Sequence, residues 1–165
     1  MLRHATAALV LLGLLAATRG TEESPPPGAP VPEPELTAAA FARVTVEPAR
    51  TSIYIGSVTL SMLPLERRAG EYEADYSAKV FPFFFYNEHG RLSIRFSDDD
   101  LRQLARGEAV SFSGHARTSS GAPRRIEGRA VPDAAAPGCG KIKVRVWVGR
   151  LELVFNTAYR FSGGG

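Results

Sequence analysis

His115 and Glu127 are the side chains nearest to an acid–base dyad in this chain. The apolar alternation of Val110, Phe112, Gly114 and Ala116, answered by Ile126, Gly128 and Ala130, predicts a hairpin that sets the two opposite each other. A carboxylate beside an imidazole favours its charged form and raises its pKa, as general acid–base work requires. No nucleophile is identifiable beside the pair, and both residues fall on the polar face of their strands. A cross-strand surface pair is the expected role, with no catalytic residues. His89 falls in a predicted turn and His4 in an N-terminal leader, and two histidines without a nearby cysteine do not make a zinc site. Asp98, Asp99 and Asp100 lack the alternating ligand spacing of a calcium loop, so neither metal nor cofactor is expected.

Binding chemistry has better material. Lys141, Lys143 and Arg145 share the outer face of one predicted strand with Trp147, and Arg91 and Arg95 share that of another. Cations beside an aromatic ring suit phosphate, sulfate or a glycan, with the ring as a stacking platform. If the two strands are neighbours, one basic surface results; alternatively Glu71, Glu73 and Asp75 on an adjacent strand neutralise it. The formal charge of +3 is unevenly spread, at −2 for residues 38–100 and +7 for residues 101–165. Such asymmetry fits an acidic polymer, glycan or protein as partner, or simply solvated strand faces written in arginine.

These residues must be positioned by strands. Ile142, Val144, Val146 and Val148 alternate with polar residues, then Gly149-Arg150 precedes Leu151, Leu153, Phe155, Thr157, Tyr159 and Phe161. Glycine first in a two-residue loop fits a type II′ turn and sets Val148 against Leu151, Val146 against Leu153 and Val144 against Phe155. A second hairpin is predicted around Asn87–Gly90, with Gly90 at positive φ and with Phe85 opposite Leu92, Phe83 opposite Ile94 and Phe81 opposite Phe96. Phe84 then points away from the apolar face, and Pro82 marks an edge or bulge. Phe41–Glu47, Thr51–Leu63 (bent or bulged at Gly56) and Tyr72–Ala78 read as further strands. Ser97 is a helix N-cap with Asp100 at capping-box spacing, Leu101, Leu104 and Ala105 form an apolar stripe, and Gly107 stops the helix. The expected fold is all-β and mainly antiparallel, a compact barrel or sandwich of about eight strands with one short helix.

Leu151, Leu153, Phe155, Thr157, Tyr159 and Phe161 resemble the alternating final strand of bacterial outer-membrane barrels, which typically ends in an aromatic residue. That resemblance implies a lipid-facing apolar belt around a polar lumen. The chain departs from the pattern, because Ser162–Gly165 follow the aromatic.

Around the strands, organisation is simple. Arg3 and His4 precede an apolar run from Ala5 to Ala17, and Thr18-Arg19-Gly20 offers small residues at a cleavage site. Residues 1–20 thus read as a secretory signal peptide, too short to span a bilayer, and the protein is expected to be exported, periplasmic or extracellular. Residues 21–37, with six prolines and four glutamates, read as a semi-rigid linker, and residues 38–163 as the β domain. Cys139, the only cysteine, excludes an intrachain disulfide; it either pairs between chains or is an incidental thiol in a small-residue loop. The function this supports is an exported, non-catalytic binding or interaction domain. The alternative is a lipocalin-like carrier, with a small hydrophobic ligand inside a barrel lined by Phe81, Phe83, Phe85, Phe112, Phe155, Tyr72, Tyr76, Tyr159 and Phe161.

Overall fold

A computed structural model describes residues 38–163. The expected signal peptide and linker lie outside the described residues. After a 3-10 turn at Ala38–Phe41, ten strands follow: β1 Arg43–Val46, β2 Ala49–Ile53, β3 Gly56–Met62, β4 Leu65–Arg68, β5 Glu71–Phe81, β6 Glu88–Arg95, β7 Val110–Thr118, β8 Pro123–Pro132, β9 Cys139–Val148 and β10 Leu151–Ser162. One helix, α1 Asp98–Ala105, joins β6 to β7. Each strand pairs antiparallel with its neighbours, and β1 and β10 close the ring. β1 with β2, and β3 with β4, are each one stave broken at a proline, Pro48 and Pro64. Eight staves therefore form a closed, up-and-down antiparallel barrel.

The β9–β10 hairpin foreseen from alternation and turn chemistry is present in the expected register. Val148 faces Leu151, Val146 faces Leu153 and Val144 faces Phe155, with Gly149 at φ +61° in the turn. The β7–β8 hairpin is present too, but slipped by two residues from the register that would set His115 against Glu127: Val110, Phe112 and Gly114 face Ala130, Gly128 and Ile126. Ser97 accepts from the Asp100 amide while the Asp100 carboxylate accepts from the Ser97 amide, and Gly107 follows at φ +83°. Leu101 and Leu104 are buried, whereas Ala105 is exposed. Through Leu104, α1 plugs the lower end of the barrel against Phe96, Phe112, Ala130 and Tyr159.

Two segments differ from expectation. Residues 51–63 are not one bent strand but the β2–β3 hairpin, turning at Tyr54-Ile55. β5 pairs with β6 through Tyr72↔Ile94, Ala74↔Leu92 and Tyr76↔Gly90, so residues 82–87 form the connecting loop rather than a strand, and Gly90 lies within β6. The physical reason is what each register can satisfy. The observed one buries the Tyr72 and Tyr76 rings and gives their hydroxyls acceptors, the Phe41 carbonyl at 2.6 Å and Glu88 Oε1 at 3.1 Å. It also sets Glu71 and Asp75 opposite Arg95 and Arg91. Of the expected interior aromatics, Tyr72, Tyr76, Phe112, Phe155 and Tyr159 are buried and Phe161 packs against them; Phe81 and Phe85 are exposed and Phe83 is half-buried. Cys139 is the first, half-buried residue of β9, opposite Arg160, rather than a loop residue.

The apolar alternation of β10 points inward, with Leu153, Phe155 and Tyr159 buried, and the outer wall carries arginine, lysine and glutamate. This is the reverse of the wall that an outer-membrane barrel presents to lipid. Among the described residues no helix is long and apolar enough to cross a membrane.

Burial pushes the Tyr72 and Tyr159 phenols up from 10.0 to about 12. Between these values the unfolded chain releases protons that the folded chain retains, so stability is full below pH 10 and falls as pH rises toward 12. Tyrosinate absorbance followed together with a folding signal should show these phenols ionising as the barrel unfolds. Full ionisation of every tyrosine in the intact barrel near pH 10 would contradict it.

Candidate functional site

The structure separates the expected dyad. His115 lies opposite Arg125, and Glu127 lies opposite Ser113 and pairs with the Arg125 guanidinium. The hairpin register is the one that aligns Phe112 with Gly128, and it puts Glu127 two residues out of reach of His115. Among the described residues no group of three potential metal ligands converges.

The six expected binding residues divide into two groups. Arg91 and Arg95 lie on β6, separated from β9 by β7 and β8, and are neutralised by Glu73 at 3.0 Å and Glu71 at 3.5 Å. They do not join the basic stripe. Lys141, Lys143, Arg145 and Trp147 do share the outer face of β9. Register adds Arg129 opposite Lys143, and Arg125 stacks on Trp147 with its guanidinium 4.8 Å from the ring centroid. Arg145 reaches Glu152 at 3.4 Å, whereas Arg129, Lys141, Lys143 and Arg160 have no carboxylate partner among the described residues. Ser111, Ser113 and Gly128 make a shallow trough between Arg129 and Arg145.

The barrel interior is filled by side chains. The two voids along its axis measure about 50 Å³ and 30 Å³, room for water rather than for a ligand of several hundred daltons.

The larger feature is the upper end, where the β2–β3, β5–β6, β7–β8 and β9–β10 connections meet. There the β1–β10 ladder has ended, and β2 packs beside β10 without a ladder. β10 pairs with β1 only over Tyr159–Ser162, and β3 is the one ladder partner of β2. A slot of about 330 Å³ remains, lined by apolar side chains including Ile53, Val80, Phe83, Val148 and Leu151. Around it stand exposed apolar tips: Tyr54 at 106 % exposure, Phe85 at 76 %, and Ile55, Phe84 and Tyr86 at 63–65 %. Gly56 holds two of these loops together, since a Cβ there would lie 1.9 Å from the Phe81 carbonyl oxygen. Asn87 pins the aromatic loop by accepting the Val80 amide at 2.7 Å. Large exposed apolar patches of this kind mark interaction sites.

The slot has a polar floor. Arg124 donates to both Glu88 oxygens, at 3.3 and 2.8 Å, and the Tyr76 hydroxyl donates to the same carboxylate at 3.1 Å. The Glu88 contact raises the Arg124 pKa, and burial together with Glu88 pushes the Tyr76 phenol well up. The floor is thus a satisfied, formally neutral cluster beneath apolar walls, the composition of a small-molecule site. Alternation of Phe81, Phe83 and Phe85 masked this end in the sequence; Pro82 followed by three consecutive phenylalanines, which reads as an edge or bulge within a strand, marks the end of β5 instead.

Replacing Glu88 with alanine strands the Arg124 charge in the floor and should cost about 2 kcal/mol in urea unfolding. The double variant Glu88→Ala/Arg124→Met should lose less than the two single losses combined; strict additivity would show that the pair is not coupled.

No family model, curated protein or solved structure matches this chain.

Proposed function

We propose that this chain is an exported, non-catalytic binding domain that engages its partner through the open end of the barrel, seating an apolar group in the slot. The observation that carries the reading is the exposed apolar rim around a preformed slot with a polar floor. Folding gains nothing from leaving such side chains in water, so their exposure is best explained by a bound state. In this light the lipocalin-like alternative narrows, because room for a hydrophobic ligand lies at the mouth rather than along the axis. The neutral dye N-phenyl-1-naphthylamine should brighten on mixing with the protein. Leu151→Lys, which puts a charge on the slot wall, should weaken that binding about tenfold while leaving the fold intact. A dye signal that is absent, or indifferent to this substitution, would overturn the reading.

A second reading rests on the four uncompensated cations of the β8–β10 wall, which suit an acidic polymer lying along it. Lys141→Glu with Lys143→Glu should weaken heparin binding about tenfold and flatten its salt dependence. Unchanged affinity at low salt would exclude this wall as a polyanion site.

A further inference from the structure

We infer that the partner of the open end is the surface of an anionic lipid bilayer. The inference rests on the proposed binding role of that end and names what it binds. Three separate loops carry the exposed apolar tips to the same end: Tyr54 and Ile55, Phe81 to Tyr86, and Leu151. They project past the wall from positions far apart in sequence, which suits contact with a broad, deformable surface. Their chemistry is that of an interface, rings with Tyr54 and Tyr86 hydroxyls among them, and Trp147 stands one residue pair below the β9–β10 turn.

Charge complementarity selects the lipid class. Behind the tips lie Arg50, Lys79, Arg117 and Arg150, all exposed and without a carboxylate partner among the described residues. Of the carboxylates toward this end, Glu88 is held by Arg124, Glu127 by Arg125 and Glu152 by Arg145, and Asp75 lies in register with Arg91 and Arg117. The lower end is closer to balance: Asp98 pairs with Arg67, Asp99 with Arg102 and Glu108 with Arg106, and Asp100 and Asp133 stand against the exposed Lys141 and Arg160. The upper end is therefore cationic behind its apolar rim, and an anionic surface attracts it before contact. At the surface the tips enter the headgroup layer, the cations meet phosphate, and the slot takes the end of an acyl chain.

The test is co-sedimentation of the purified protein with vesicles of phosphatidylcholine alone or with one-third phosphatidylglycerol. Binding is expected to the phosphatidylglycerol vesicles and to be about tenfold weaker without the anionic lipid. Phe84→Ser with Phe85→Ser, and separately Lys79→Glu with Arg150→Glu, should each weaken it by about tenfold or more. Lys141→Glu with Lys143→Glu, on the side wall, should leave it nearly unchanged. The emission of Trp147, the chain's single tryptophan, reports engagement independently of pelleting. Failure to bind phosphatidylglycerol vesicles, or binding lost through the side wall and kept without Phe84 and Phe85, overturns the inference. If vesicles fail while the neutral dye still binds in a Leu151-dependent way, the lipid inference falls and the binding role stands. If the dye fails as well, both fall.

Discussion

Closure of the barrel rests on one short ladder. β1 meets β10 over four residue pairs, from Arg43↔Ser162 to Val46↔Tyr159. Two further bonds extend it: the Glu47 amide donates to the Ala158 carbonyl at 3.0 Å, and the Thr157 hydroxyl donates to the Glu47 carbonyl at 2.8 Å. Pro48 comes next and has no N–H to offer, so the ladder ends there. β2 then follows β3 rather than β10. The helix-plugged end lies on the laddered side of that stop, and the slot lies on the other.

The charged groups follow the same division. On the β4–β6 side, strand register brings opposite charges together: Arg43 and Arg68 share Glu66, Arg91 meets Glu73 and Arg95 meets Glu71. Each such exposed pair contributes little to stability, but together they leave that wall locally balanced. From β8 to β10 the acids run out, so the same strand geometry yields a cationic wall. Around the slot the one half-buried pair, Glu88 with Arg124, is held by a full set of hydrogen bonds, as a charge pair away from water requires.

Legibility in the sequence tracked how local the deciding interaction was. The β9–β10 hairpin and the capped helix were readable because alternation and turn or cap chemistry sit within a few residues and agree, whereas alternation gave the β7–β8 strands but missed their register by two residues. β5 was ambiguous because residues 72–86 contain two apolar alternations in succession. Distant partners decided between them, Tyr72 finding its acceptor 31 residues away at Phe41. The β2–β3 turn has Tyr54 and Ile55 where glycine or asparagine would have announced it. Lys141, Lys143 and Arg145 were readable as outward-facing, but strand order alone reveals that Arg91 and Arg95 belong to a different wall. The slot was beyond reach, since it exists through a pairing that β2 and β10 do not make.

The β1–β10 seam also sets the order in which this chain can assemble. Every other ladder joins staves adjacent in sequence, a meander of low contact order that forms early and quickly. The seam joins residues 110 apart, and its loop-closure entropy is met only once the hairpins are in place. It is the last contact to form and, having few pairs, the first to fray. Because that ladder ends at Glu47, on the side toward the slot, loosening of the seam there would be felt first by the walls of the binding end.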